Sequence, residues 1–146
     1  SIKEGSGGTP WGLHRVCKKI GEGAEPGTVF IGRVNQGKTY RDYDDFGPQQ
    51  KNYVTTRILW LEGLESGLNQ GEGVDTRDRF VYIHGVNHPE VFPQNQSSGC
   101  LNLLDPDLIS LYDGIPEGTL VWIAPPANSV SLSAPMEQTE GCQPRH

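Results

Sequence analysis

The chain has 146 residues and a mass of 16.0 kDa, which is the size of one domain with a single core. Its 19 glycines, 11 prolines and 34% hydrophobic residues predict many turns and short strands, and they argue against a helical bundle and against a disordered chain. A net charge of -6 and a pI near 5.1 argue against nucleic-acid binding, and no apolar run is long enough for a transmembrane segment.

The first third of the chain predicts two elements separated by turns. Residues 1–10 are rich in Gly and Ser and predict a flexible lead-in. The apolar spacing of residues 11–20 fits either a helix or a strand, and the residues alone leave both open. Residues 28–34 are β-branched and aromatic, which predicts a strand with a bulge at Gly32. Residues 35–53 are polar and predict an exposed excursion.

The middle of the chain holds the two clearest strands. Residues 54–62 have the strongest β-propensity, with side chains alternating between two faces. Residues 63–79 are polar and Gly-rich, which predicts a long loop that is either the rim of a functional groove or disordered. Residues 80–84 are nearly all apolar, so this strand is predicted to be buried on both faces.

A short helix and a final strand follow. Asp105 is predicted to cap a helix with Pro106 at its first position, and Gly114 to end it. The side chains predicted to pack inward from this helix are Leu108, Ile109 and Leu111. A strand is predicted at residues 119–123, and the proline-rich residues 125–146 predict a mobile C-terminal tail. The expected fold is a mainly-β sandwich or partly open barrel, with one domain over residues 11–124.

In the predicted order of strands and loops, a Cys and a His lie on either side of one loop. His84 ends the strand of residues 80–84, and Cys100 follows a loop that closes with Gly99. An imidazole can take the proton of a nearby thiol, and a Gly before the Cys can turn two backbone amides towards an oxyanion. The alternatives are an inert buried Cys and a structural His.

Three cysteines leave at least one thiol without an intramolecular partner. If Cys100 must stay free, Cys17 and Cys142 are the only pair left for a bridge. Two free thiols are the alternative, and the sequence leaves both open.

The Cys and the His stand in two motifs, His-Gly-Val-Asn at residues 84–87 and Ser-x-Gly-Cys-Leu-Asn at residues 97–102. These motifs give the chain its resemblance to the L,D-transpeptidase catalytic domain, the YkuD-like family. Thr-Pro-x-Gly-x-His at residues 9–14 and Gly-Thr-Leu-Val-Trp-Ile at residues 118–123 extend it over residues 9–123. It implies a β-sandwich-like domain in which residues 11–20 form a strand. Members usually have one or two further strands before the Thr-Pro turn, so an incomplete sheet is expected here.

The resemblance also implies an activity. It implies acyl transfer on peptidoglycan stem peptides through a thioester on Cys100, with His84 as the base. Ser97 is expected to orient His84, with the Gly85 carbonyl as a second candidate, and the amides of Gly99 and Cys100 are expected to form an oxyanion hole. No cofactor or metal is needed, carbapenems are expected to bind covalently, and the expected compartment is the periplasm or cell envelope.

Two positions near Cys100 depart from the family pattern. Ser98 stands where many members have His, and it is expected to be part of the groove wall. Asn102 stands where other members carry Arg, so it can hydrogen-bond substrate but brings no charge. Arg57 is the candidate for that missing charge, with an ordinary surface ion pair as the alternative.

Three other readings remain open. A zinc site of His84, His88 and Cys100 lacks a fourth ligand and paired-Cys spacing. A hydrolase of the same fold shares the catalytic residues and differs only in letting water act as the acceptor. A non-catalytic wall-binding module would keep the motif without turnover.

Overall fold

The computed structural model describes residues 8–45, 50–87, 99–124 and 129–135, and these residues form a mainly-β domain. Its elements are β1 (Gly12–Ile20), β2 (Thr28–Ile31), β3 (Val34–Thr39), β4 (Val54–Gly63), β5 (Tyr82–Gly85), β6 (Leu101–Leu103), α1 (Asp105–Gly114), β7 (Thr119–Ala124) and β8 (Ser129–Pro135). The predicted fold class, mainly β with one short α-helix after the cysteine loop, is confirmed. No helix in the described ranges is long and apolar enough to cross a membrane.

The eight strands belong to one hydrogen-bonded sheet with β4 near its centre. The order β3-β2-β4-β1-β7-β8 runs across the sheet, and β5 adds to the other edge of β4 and carries β6 beside it. Every strand pair is antiparallel except β5 with β6, which run parallel. Because β4 contacts three other strands, its uninterrupted run of β-favouring residues forms the middle of the fold.

Side-chain alternation divides the centre of the sheet into two apolar layers. One layer packs against α1 and consists of Val16, Leu59, Leu61, Val81, Ile83, Leu108, Tyr112, Val121 and Ile123. The other layer lies on the opposite face and consists of Cys17, Phe30, Ile58, Trp60 and Tyr82. Since β5 contributes to both layers, the predicted burial on both faces is confirmed from residue 81 onwards. The strand begins two residues later than predicted, and Phe80, which precedes it, is exposed.

Helix α1 begins one residue earlier than predicted. Its N-cap is Leu104, which makes no side-chain cap, and Asp105 is the first helical residue. The Asp105 carboxylate instead accepts a hydrogen bond from the Thr56 hydroxyl at 2.7 Å, which ties the start of α1 to β4. Leu108 is buried as predicted, whereas Ile109 is only partly buried and lies outside the core. Tyr112, one turn after Leu108, fills the remaining space.

The first half of the chain contains a hairpin that the sequence analysis missed. Gly32 is part of a two-residue turn with Arg33, not a bulge, and both residues have positive φ (57° and 68°), as a tight hairpin turn requires. The second strand of the hairpin, β3, is almost wholly exposed. Residues 35–39 are therefore largely exposed, as predicted, but they belong to a strand and not to an irregular segment.

The structure describes only parts of the predicted N-terminal lead-in and C-terminal tail. Residues 8–10 of the predicted lead-in are described and have no regular structure. Within the predicted C-terminal tail, β8 pairs with β7 along its length, so this part of residues 125–146 belongs to the sheet. The remainder of the lead-in and of the tail lies outside the described residues.

The long loop between β4 and β5 is held by buried polar side chains. Asn69 is fully buried, and its amide nitrogen donates to the carbonyls of Trp11 and Leu13 at 2.8 and 3.1 Å. Asp75 accepts from the amides of Gly71 and Asp78 at 2.8 and 3.2 Å. These contacts fix the loop against β1, so it arrives at β5 along a defined path.

Candidate active site

A pocket of about 340 Å³ lies alongside β5 and the start of β6. Its walls come from the segment before β4, from the residues entering β5, from β5 and its end, and from the start of β6. The lining residues are Asn52, Tyr53, Val54, Arg79, Phe80, Tyr82, His84, Gly85, Val86, Asn87, Cys100 and Asn102.

Strand register places Cys100 and His84 on the same wall of this pocket. β5 and β6 are parallel, with Ile83 opposite Leu101 and His84 opposite Asn102. Side chains two residues apart on a strand share a face, so Cys100 and Asn102 project on the same face as His84. The intervening apolar residues, Ile83 and Leu101, turn to the α1 face instead. The sequence alternation therefore brings the thiol and the imidazole into one pocket.

His84 is almost fully buried and held in one orientation. Its Nδ1 lies 2.7 Å from the carbonyl oxygen of Gly85. Since a carbonyl can only accept, Nδ1 carries the proton and Nε2 keeps its lone pair. Burial lowers the pKa of His84, and the bond to Gly85 opposes this only in part, so the imidazole is neutral at neutral pH.

Cys100 lines the pocket and is not disulfide-bonded. Burial raises its pKa, while the Tyr82 amide and the positive charge of Arg79 act in the opposite direction. The Tyr82 amide donates to Sγ at 3.3 Å, and the thiol donates to the carbonyl of Phe80 at 3.6 Å. The surroundings therefore favour a neutral thiol beside a neutral imidazole in the resting site.

Gly99 has a backbone conformation that other residues rarely adopt. Its φ is 105°, and a Cβ at this position would lie 2.8 Å from the carbonyl oxygen of Gly8. Only Gly combines this φ with so close a neighbour. The amide of Cys100 is oriented by this conformation.

Asn87 fixes the wall opposite β6. Its Oδ1 accepts from the Tyr53 amide at 2.9 Å, and its Nδ2 donates to the Gln50 side chain at 2.9 Å and to the Lys51 carbonyl at 2.8 Å. All of these contacts run from the end of β5 to the segment before β4. The last residue of the His-Gly-Val-Asn motif thus holds one wall of the pocket in place.

Tyr53 connects that wall to an acidic residue. Its hydroxyl donates to both oxygens of Asp45 at 3.0 and 2.9 Å. Desolvation and the hydrogen bond to Asp45 raise the pKa of Tyr53 to about 12, so Tyr53 is a neutral donor at physiological pH. Asp45, which does not line the pocket, therefore stabilises the position of Tyr53 through charge-assisted hydrogen bonds.

Comparison with known families decides the relationship. The family model of the L,D-transpeptidase catalytic domain, YkuD, matches residues 2–123, which is most of the chain. The chain belongs to the L,D-transpeptidase catalytic-domain family. Comparisons with curated proteins and with solved structures found no significant match. The resemblance predicted from the sequence motifs is thereby confirmed, and the chain is a catalytic domain of a family that acts on peptidoglycan peptides.

Four of the eight residues expected at the site line the pocket, Cys100 and His84 among them. Asn102 and Gly85 both line it. Arg57 lies on the other face of β4, where its Nη1 donates to the carbonyls of Ala24 and Thr56, both at 2.7 Å. The structure therefore does not bring Arg57 to the pocket. The physical reason is that successive side chains of a strand point to opposite faces. Ile58 lies in the apolar layer against which Cys100 packs, so its neighbour Arg57 points to the other face.

Three predicted residues, Ser97, Ser98 and His88, lie outside the described residues. The role expected of Ser97, orienting His84, is filled in the described structure by the second candidate, the carbonyl of Gly85. Within the described ranges, no group of three or more His, Cys, Asp or Glu side chains is placed to hold a metal ion. Cys17 is disulfide-bonded, so the alternative of two free thiols is wrong for this residue. Cys142, the one partner left for Cys17 if Cys100 stays free, is not among the described residues.

The sequence analysis missed Arg79 and Phe80 as parts of the pocket. Both line it, at the point where the long loop enters β5. Phe80 has a φ of 56° and is 48% exposed, and Arg33 lies over its ring at 4.9 Å. The available signal was the prediction that residues 63–79 form the rim of a groove, which draws attention to the charged residues at the end of that loop.

Proposed function

We propose that the protein is a cysteine-dependent acyltransferase that acts on peptidoglycan stem peptides as an L,D-transpeptidase. The observation that carries the proposal is the placement of Cys100 and His84 on one face of the β5–β6 pair, in one open pocket. Nucleophile and base must share a site for a thiol to be activated. Membership of the L,D-transpeptidase family supplies the substrate class.

His84 is suited to act as the base because its tautomer is fixed. With Nδ1 bound to the Gly85 carbonyl, Nε2 is the atom available to take a proton in the pocket. Burial lowers its pKa, so the imidazole stays unprotonated over the physiological range. A neutral imidazole of fixed tautomer can accept the thiol proton and later return it.

The reaction proceeds in two acyl transfers. Cys100 Sγ attacks the carbonyl carbon that follows the L-centre of the third stem residue, while the thiol proton passes to His84 Nε2. The C–N bond then breaks, Nε2 protonates the leaving nitrogen, and a D-amino acid departs, leaving a thioester. An amine of a second stem attacks the thioester and gives a proton to Nε2, which returns it to the sulfur as the new amide forms.

Charge that develops on the carbonyl oxygen needs donors, and the loop before β6 offers them. The positive φ of Gly99 supports the assignment of the Gly99 and Cys100 amides as an oxyanion hole. Asn102 supports substrate binding from the next position on the same face, because its Oδ1 is buried and has no hydrogen-bond partner among the described residues. A buried acceptor without a partner is costly, so a substrate N–H is its natural complement.

The proposal extends to compartment and inhibitors. Stem peptides are found in the cell wall, so the proposed place of action is the periplasm or cell envelope. A carbapenem carries a strained amide that the same thiol can open, which would leave an acyl group on Cys100. We therefore include carbapenems among the proposed covalent ligands.

Turnover of tetrapeptide stems tests the proposal. The wild-type protein is expected to release a D-amino acid and to form cross-linked dimers, and products consisting only of tripeptides would indicate the hydrolase instead. Cys100→Ala is expected to abolish turnover, and His84→Ala to lower the rate roughly 10²- to 10⁴-fold, the usual contribution of a general base. Full turnover by a folded Cys100→Ala variant would overturn the assignment.

Intact-protein mass spectrometry supplies the second test. Incubation with a carbapenem is expected to add one acyl group, located at Cys100 by peptide mapping and missing from Cys100→Ala. A folded wild-type protein with neither turnover nor adduct would contradict the proposal and would favour a non-catalytic wall-binding module.

A further inference from the structure

Arg79 brings a positive charge to the pocket. Among the described lining residues it is the one side chain that is formally charged at neutral pH. The pocket otherwise offers amides, aromatic rings, the thiol and the neutral imidazole. The whole chain has a net charge of -6, so it repels anionic peptides at long range and needs a local cation to bind one.

The guanidinium of Arg79 is held beside the residue that precedes Cys100. Its Nη2 donates to the carbonyl of Gly8 at 2.7 Å. The same nitrogen lies 3.3 Å from the point that a Cβ on Gly99 would occupy. The Arg79 amide also donates to the Asp75 carbonyl at 3.0 Å, which fixes the backbone from which the side chain extends. Arg79 is therefore placed beside Gly99 by hydrogen bonds of its backbone amide and of its guanidinium.

The reaction itself places an anion close to this position. During attack the scissile carbonyl carbon lies within about 3.5 Å of Sγ. The next residue of the donor is the one that leaves, and its carboxylate is only one residue away, since consecutive Cα atoms are about 3.8 Å apart. Arg79 is close enough to Cys100 for its charge to oppose the rise in the thiol pKa. A guanidinium binds carboxylates through paired N–H donors.

We propose that Arg79 binds the terminal carboxylate of the leaving D-residue and so selects donor stems that end one residue after the scissile bond. The inference rests on the proposed function and adds the specificity-determining residue for it. A donor with a further residue presents a neutral amide at this point and loses the ion pair. Arg79 thus distinguishes donors that end at the leaving residue from longer donors, because only the former place a carboxylate next to its guanidinium.

A purely electrostatic effect on the sulfur is the competing role for Arg79. In that case the residue would stabilise the thiolate for every donor alike, and its removal would slow alkylation of Cys100 as much as turnover. Carboxylate recognition instead affects only donors that carry the charge. The two roles are separated by comparing one donor as its free acid and as its C-terminal amide.

The kinetic experiment uses the tetrapeptide acid, the tetrapeptide amide and the pentapeptide with wild type, Arg79→Lys, Arg79→Gln and the surface control Arg41→Gln. Wild type is expected to favour the acid over the amide roughly 10- to 100-fold in kcat/KM, as for a hydrogen-bonded charged group. Arg79→Gln is expected to abolish this preference by losing activity on the acid alone, and Arg79→Lys to retain part of it. Arg41→Gln is expected to behave as wild type. Equal losses on acid and amide, or a preference that survives in Arg79→Gln, would overturn the inference.

A binding experiment keeps the inference independent of turnover. Titration calorimetry of Cys100→Ala is expected to show tighter binding of the acid than of the amide, and the added Arg79→Gln change is expected to make the two equal. No preference in Cys100→Ala would reject the role of Arg79. Absence of both turnover and carbapenem adduct in wild type, with the preference in binding intact, would reject the proposed function but support the role of Arg79.

Discussion

Gly99 shows how much of the site depends on one backbone conformation. Its φ of 105° turns the chain immediately before the thiol, and the Gly8 carbonyl occupies the space where a side chain would begin. Gly99 therefore shapes the site because it has no side chain. An added methyl group would have to move either the Gly8 segment or the amide of Cys100.

Gly99→Ala is expected to lower acyl transfer roughly 10²- to 10³-fold, the effect of losing one oxyanion donor. The cost in stability is expected to be at least about 1–2 kcal/mol, because a residue with a Cβ is forced to a positive φ and its Cβ also meets the Gly8 carbonyl. Steady-state kinetics and urea unfolding measure the two effects. Gly114→Ala is the matched control, since no atom lies within 4 Å of its Cβ position. Unchanged kinetics in Gly99→Ala would show that the amide geometry does not depend on this residue.

The two arginines show which residue assignments a sequence can support. Arg57 was chosen because it lies in the strongest predicted strand, but the face on which it projects depends on how β4 pairs with β5. A strand pattern gives alternation without saying which face holds the site. Arg79 follows a long loop whose path is set by buried contacts of Asn69 and Asp75, and no local pattern encodes that path. Cys100 and His84 could be singled out from the sequence because they belong to a recognisable motif, and the structure places both in one pocket.

At the scale of elements, Asn87 links the end of β5 to the segment before β4 through three hydrogen bonds. The segment it holds carries Asn52, Tyr53 and Val54 into the pocket wall. The position of this wall relative to Cys100 is therefore controlled by a side chain that does not have to touch the substrate.

Asn87→Ala is expected to raise KM more than it lowers kcat, because the wall loosens while Cys100 and His84 stay in register. Loss of a buried partner costs about 1–3 kcal/mol, so the Tyr53 amide is expected to exchange its hydrogen roughly 10- to 100-fold faster. Hydrogen exchange measured by NMR reports this amide directly. Asn35→Ala, on the exposed strand β3, is the control and is expected to leave Tyr53 protected. Full protection of Tyr53 in Asn87→Ala would contradict the assigned role.

Elements were predictable where burial imposes a pattern. β4, β5 and α1 carry apolar side chains towards one or both layers, and their residues show it. β3 and β8 were missed because their described side chains are exposed or nearly so, and strands of this kind are defined by backbone pairing with a neighbour. The sequence of β3, VNQGKT, contains little of the alternation on which a strand prediction depends. The sequence of β8, SVSLSAP, does alternate Ser with apolar residues, and this signal was overlooked in a proline-rich tail.

At the scale of the whole molecule, His14 joins β1 to the long loop without access to solvent. Its Nδ1–H donates to the Gly12 carbonyl and its Nε2 accepts from the Thr76 hydroxyl, both at 3.0 Å. Desolvation lowers its pKa from 6.5 to about 4, and the bond to Gly12 and the charge of Glu65 oppose this only in part. The folded protein therefore holds His14 in its neutral form.

Because of His14, the free energy of unfolding is expected to decrease as the pH is lowered. The unfolded chain binds a proton at His14 near pH 6.5 and the folded chain only near pH 4, so the contribution is complete above pH 6.5 and is lost as pH falls towards 4. The loss across this window is expected to be about 3 kcal/mol. Urea unfolding followed by tryptophan fluorescence at a series of pH values measures it.

His14→Gln provides the control for this pH effect. The variant is expected to be less stable at pH 7.5 and to lose less stability between pH 6.5 and pH 4. Part of the slope is expected to remain, because His84 is also buried with a lowered pKa. An acid dependence identical to that of the wild type would show that His14 is not responsible.

The parallel pairing of β5 with β6 has a consequence for how such a site can diverge. The separation between Cys100 and His84 is set by the register of Ile83 with Leu101, so the connector between the two strands does not have to space them. Insertions and deletions in that connector are therefore expected to leave Cys100 and His84 on one face of the strand pair. A related chain could change the length of the connector and keep the proposed nucleophile and base in register.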